Sequence, residues 1–149
     1  MTVDPLTTAL GFVHLQTELA LGRRFSIYAG PSLKLFDFPG TEQQPYKGIG
    51  VEAGIRWFVT AGNKPTHKSA PRGAWVMVRG LAANVRRTDR ANVSEFGGYI
   101  SALGGYTWIF DDVFVVGLGL GIQRIDYTVD DLGIQGTLPA AHTTLGVAF

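Results

Sequence analysis

The side chains in this sequence that are able to do chemistry are few and widely spaced. Glu18, Lys34, Glu52, Arg56 and Arg79 fall within segments that alternate between apolar and polar residues. Two carboxylates with split proton affinities can hydrolyse glycosides, so Glu18 and Glu52 are the first pair to weigh. Lys34 and Arg79 are expected near Glu52, and Arg56 near Glu18, which keeps both carboxylates ionised. The five residues therefore read as a self-neutralising charge network rather than an acid and its base. The histidines are His14, His67 and His142, with no metal-ligand spacing between them, and cysteine is absent. Thiolate zinc sites, disulfides and cysteine nucleophiles are excluded. Gly117, Gly119 and Gly121 imitate a phosphate loop, but they sit inside an apolar alternation and lack a following helix and Lys-Ser/Thr pair. No catalytic, metal or cofactor residues are expected.

The elements that carry these residues follow from composition and period. The chain has 149 residues, enough for a single domain over 1–149, and a net charge of +1 with 17% charged residues. That balance favours neither nucleic acid nor a disordered acidic tail, and no nucleic-acid partner is expected. Hydrophobic residues make up 46% of the chain, yet no run approaches the roughly 18 apolar residues of a spanning helix. Twenty glycines and 11% aromatics favour strands over helices. Period-two alternation bounded by turn residues predicts strands over 2–9, 12–21, 25–36, 47–59, 74–84, 95–109, 113–126 and 137–149. The first two could instead be one long strand bent at Gly11. Connectors at 22–24 and 111–112 are tight, those over 37–46, 85–94 and 127–136 are longer and polar, and 60–73 is long on the short-turn side.

Face chemistry decides what the barrel faces. One parity carries Val13, Leu15, Leu19, Phe25, Ile27, Ile49, Val51, Ile55, Trp57, Leu118, Leu120 and Ile122; the other carries His14, Gln16, Glu18, Ser26, Tyr28, Glu52, Arg56, Tyr99, Ser101 and several glycines. Small and charged residues together suit a narrow, filled lumen, and a greasy outer face suits lipid. The expected fold is all-β, an eight-stranded antiparallel up-and-down transmembrane barrel. Phe25, Trp57, Tyr106, Trp108, Phe114 and Phe149 share outward parity near one end, as an interfacial girdle requires. Trp75 breaks this pattern, since its strand would send it inward. A soluble lipocalin-like barrel with the faces exchanged is the competing fold; it would expose Glu18, Lys34, Glu52 and Arg56 and fill its cavity with Trp57 and Trp108.

Three stretches carry resemblances. Thr143 to Phe149, with Leu145, Val147 and Phe149 at alternate positions, looks like the C-terminal signal read by the outer-membrane barrel assembly machinery. Asp4-Pro5-Leu6 leading to Leu15–Ser26 resembles the opening of a family of small Gram-negative outer-membrane barrels of unknown function, with Asp4 in place of Asn and Thr17 in place of an aromatic. That resemblance implies fold and location and little chemistry. His142-Thr143-Thr144 resembles loosely the His-x-Ser element of outer-membrane lipid A deacylases, with Thr144 where the nucleophilic Ser would stand.

Met1–Pro5 shows no basic region followed by an apolar one, so the expectation is a chain trimmed of its leader. The expected location is the bacterial outer membrane. The leading functional expectation is a non-enzymatic structural or docking component of the cell envelope with a plugged polar lumen. Its partners would be outer-membrane lipids and lipopolysaccharide, the assembly machinery during biogenesis, and an envelope protein. Arg86, Arg87 and Arg90, placed in a loop, are candidates to contact lipopolysaccharide phosphates. Lys64, His67, Lys68 and Arg72 in the long connector could dock a protein or anionic headgroups. The alternatives are a lipid A-modifying hydrolase using His142, and a narrow channel or small-ligand-binding barrel.

Overall fold

In the computed structural model, residues 1–6, 12–34, 46–60, 71–87, 94–129 and 132–149 are described. Eight strands run β1 (Thr2–Val3), β2 (Phe12–Ala20), β3 (Phe25–Lys34), β4 (Tyr46–Phe58), β5 (Gly73–Arg87), β6 (Ser94–Phe110), β7 (Phe114–Val129) and β8 (Leu132–Val147). Each pairs antiparallel with its neighbour in sequence, and β1 pairs with β8 to close the barrel. Closure leaves almost no free sheet edge, which is how an antiparallel sheet of this size satisfies its backbone.

Turn chemistry fixes one end of the barrel. Asp111 and Asp112 take φ of 52° and 56°, and Val113 N–H donates to Phe110 O at 3.0 Å, a type I′ turn matched to the twist of the β6–β7 hairpin. Gly22, at φ 102°, turns β2 into β3. These turns lie at the same end as both termini, where Met1 and Val147 exchange backbone hydrogen bonds.

Several boundaries differ from the sequence reading. The first strand is only Thr2–Val3, not 2–9: Asp4 turns inward to full burial, and Pro5 and Leu6 take helical conformation. Proline has no N–H to donate, and Leu6 N–H bonds the Asp4 carboxylate instead of a ladder. At the other end β5 and β6 run longer than expected, and so do β7 and β8. Residues 85–87 and 94, read as loop, are strand, as are 127–129 and 132–136. Polar residues had marked these stretches as loop, but cross-strand pairing extends through them. Residues 61–70 lie outside the described residues.

Side-chain alternation sorts the two faces. Leu19, Ile49, Val51, Ile100, Leu120 and Ile122 point outward and are 59–65% exposed, while Asp4, Glu52 and Arg56 point inward and are at most 1% exposed. The lipocalin-like arrangement is thereby overturned: Trp57 and Trp108 are exposed outside, and Glu52 and Arg56 are enclosed. Trp75 does turn inward and is 2% exposed. It fits because Gly105 and Gly119 face it from β6 and β7, where an added Cβ would come within 2.4 and 2.3 Å of its ring. The indole N–H donates to Thr107 Oγ1 at 2.9 Å.

Candidate functional site

The interior is a contiguous polar network built by strand parity. Glu52, on β4, is its hub: its carboxylate accepts from Gln16 Nε2 at 2.9 Å, from the Tyr28 hydroxyl at 2.9 Å and from the Tyr99 hydroxyl. His14 Nδ1 stands 3.3 Å away and Arg79 3.5 Å away. Donors from β2, β3, β5 and β6 thus converge on one carboxylate, so its full burial is matched by hydrogen bonds.

A second node lies nearer the terminal end. Arg56 bonds both oxygens of Glu18 at 3.2 and 3.1 Å, and Ser26 Oγ donates to the same carboxylate. The guanidinium lies 4.6 Å from the Trp75 ring centroid and 5.9 Å from that of Phe58, so its plane is packed against aromatic surface as well as paired.

The third node is at the seam where β8 meets β1. Asp4 Oδ2 lies 2.9 Å from His142 Nδ1, and His142 Nε2 lies 3.0 Å from Thr144 Oγ1. Thr143 Oγ1 donates to Asp4 Oδ1 at 2.6 Å. Asp4, His142 and Thr144 therefore have the connectivity of a carboxylate–imidazole–hydroxyl relay. Both ring nitrogens also face cations: Arg79 is 3.1 Å from Nδ1 and Arg56 is 3.3 Å from Nε2. Asp4 and His142 are 0% exposed and Thr144 is 3% exposed.

Asp4 and Arg79 do backbone work at this seam as well. Since Met1 pairs with Val147, alternation turns Leu145, Thr143 and Ala141 of β8 toward β1. Above Val3 no strand of the described residues receives Thr143 and Ala141. The Asp4 carboxylate accepts from Thr143 N–H at 3.4 Å and Arg79 donates to Ala141 O at 3.4 Å, so side chains stand in for the missing ladder. Pro139 follows on the same edge, where a missing N–H costs nothing.

Of the residues singled out from sequence, the structure brings Glu18 to Arg56 and Arg79 to Glu52. Lys34 is not level with Glu52: it pairs with Gly48, whereas Glu52 pairs with Gly30. Two strands cannot be aligned in height from separate alternations, which fix face but not register. Phe25 stacks on Trp57 with centroids 6.4 Å apart, and Tyr106 meets Trp108 at 4.7 Å; Phe114 and Phe149 are exposed at the same end. Leu145 and Val147 point outward. Arg86 and Arg87 lie in β5 rather than a loop, and Arg90 is outside the described residues. In the long connector Arg72 reaches Asp112 at 3.9 Å; Lys64, His67 and Lys68 lie outside the described residues.

Sequence reasoning missed Asp4 as an interior residue and Tyr28, Tyr99 and Gln16 as ligands of one carboxylate. Their inward parity was visible; their convergence was not. Asp-Pro was the available signal for Asp4, because a proline at the fourth position of the expected strand interrupts its ladder. No family model, curated protein or solved structure matches this chain.

Proposed function

We propose that the protein is an integral β-barrel of a bacterial outer membrane that acts as a non-enzymatic structural or docking component of the envelope. One observation carries the reading, namely the inverted polarity of the barrel: isoleucine, leucine and valine 59–65% exposed outside, and a paired set of carboxylates, guanidiniums and imidazoles inside. In water this distribution would leave a large apolar surface unburied while enclosing charge at a cost; in lipid both terms reverse. The exposed aromatic residues at the terminal end support an interfacial girdle, and the resemblance of the first and last strands to outer-membrane barrels agrees in direction.

The lumen supports a plug rather than a pore. Trp75, Phe58, Arg56 and His142 are among the largest fully enclosed side chains, and they fill the section between Glu52 and the terminal end. A second reading, a lipid-modifying hydrolase, draws on the Asp4–His142–Thr144 connectivity. It ranks lower because the imidazole is held between two guanidiniums and the hydroxyl has no exposed face. Hydrolysis of a lipid ester by the purified protein, abolished by His142→Ala, would raise it above the first.

The test of the leading reading is electrophoresis of detergent-refolded protein with and without boiling, alongside circular dichroism. A β-rich spectrum, faster migration of the unboiled band and precipitation when detergent is withdrawn are the expected results. A monomer that stays in solution in plain buffer without a mobility shift overturns it.

A further inference from the structure

On the outer face, Lys47 of β4 lies directly opposite Arg86 of β5. Both side chains are exposed, and no carboxylate of the described residues is within ion-pair distance of either. Like charges directly opposite each other across a strand pair repel, so this register is unfavourable by itself and favourable once an anion sits between them. Arg124 adds a third exposed cation on the outward face of β7.

Their height is set by the strands. Lys47 is ten residues from Trp57, Arg86 ten from Val76, the register partner of Trp57, and Arg124 ten from Phe114. Ten residues span roughly 33 Å along a strand, or about 25 Å along the axis of a barrel whose strands tilt by about 40°. That is about the height of a barrel's apolar band, so the three cations border the band at the end opposite the aromatic girdle. Below Lys47 the outward face of β4 is apolar, with Ile49 and Val51, and Val51 is the register partner of the small Ala82; on β5 the exposed Asn84 stands between Arg86 and Ala82, and beyond Gly98 lies the exposed Asp126 of β7.

We propose that Lys47 and Arg86 form a phosphate clamp for a glycolipid headgroup of the outer leaflet, with an acyl chain lying along Ile49 and Val51 beside Ala82. The inference rests on the membrane reading, which puts the end opposite the termini at the outer leaflet. The guanidinium fork engages two phosphate oxygens, and the ammonium supplies a third contact from the neighbouring strand. The phosphate relieves the repulsion between the two cations.

The protein is refolded in detergent, moved into vesicles of phosphatidylcholine containing lipid A, and re-extracted for native mass spectrometry to count retained lipid A. The same is done with Lys47→Gln/Arg86→Gln, with dephosphorylated lipid A, and with phosphatidylglycerol in place of lipid A. The expected result is about tenfold or greater loss of retained lipid A in the double variant, with unchanged circular dichroism and heat-modifiability. Dephosphorylated lipid A should be retained equally weakly by both proteins. Equal retention of lipid A by the two inserted proteins overturns the clamp and leaves the membrane reading intact. Preferential retention of phosphatidylglycerol, or displacement of lipid A by millimolar inorganic phosphate, overturns the glycolipid as its occupant. Failure of both proteins to enter any vesicle overturns the membrane reading and the clamp with it.

Discussion

The wall from β4 to β7 and the seam from β8 through β1 to β2 close the same barrel by different means. In the first, strands of 13–17 residues pair along most of their length, and each register is held by many backbone hydrogen bonds. In the second, β1 contributes two residues, and above it the edge of β8 is satisfied by the side chains of Asp4 and Arg79. A further interruption lies next door, where Leu15 and Gln16 pair with β1 but skip Gly30 and Pro31 of β3. Gly30 is required there, since a Cβ would fall 1.6 Å from Leu15 O. One wall is thus stabilised by the backbone, which any sequence supplies, and the other by particular side chains.

Substitutions can break this contrast in order of size. Asp4→Ala removes the carboxylate that faces His142 and Arg79, leaves Arg79 with Glu52 alone among the described carboxylates, and frees the Thr143 N–H. Removing one partner from a buried charge set costs about 3–5 kcal/mol, so the urea midpoint of the detergent-refolded protein should fall steeply, whereas Asp126→Ala, on an exposed part of β7, should leave it in place. Equal behaviour of the two variants would mean that the seam does not depend on its side chains.

Proline reverses the vulnerability. Leu120 and Ala141 are register partners, but Leu120 belongs to a strand paired on both sides while Ala141 faces an edge that no strand of the described residues pairs. Leu120→Pro should cost about 3 kcal/mol or more and impair refolding, while Ala141→Pro should change stability by less than about 1 kcal/mol. A matching loss in both would show that β8 has a ladder partner above β1.

Packing in the continuous wall gives a third, smaller effect. Gly119→Ala sets a methyl 2.3 Å from the Trp75 ring, and overpacking of this kind costs about 1–3 kcal/mol. Combined with Trp75→Ala, which removes the obstruction, the glycine substitution should cost little. A double-mutant cycle on urea midpoints reads the coupling, and additivity would place the strain elsewhere. The smallest effect is expected on the outer face, where Val78→Ala should shift the midpoint by under about 1 kcal/mol in detergent because the side chain is half exposed.

Much of the face chemistry was legible before the structure. Inward Glu18, Glu52, Arg56 and Arg79 and outward Phe25, Trp57, Tyr106 and Trp108 all follow from counting parity along single strands. Even Trp75, which broke the outward pattern, obeyed its own strand's parity, and the glycines opposite it explain how the lumen holds an indole. Strand ends were less legible, since β5 to β8 continue through polar residues that local composition reads as loop.

By itself the sequence determined a period of two, a greasy face and a polar face, and hence a closed antiparallel sheet. These are local properties, because successive side chains of an extended chain must alternate whatever lies beside them. Register belonged to the tertiary structure. Only strand pairing set Glu52 level with Gly30 instead of Lys34, brought Tyr28, Tyr99 and Gln16 onto one carboxylate, and set Lys47 opposite Arg86. Only closure, by pairing β1 with β8, brought Asp4 onto His142. Heights on neighbouring strands depend on contacts between residues distant in sequence, and no alternation along one strand encodes them.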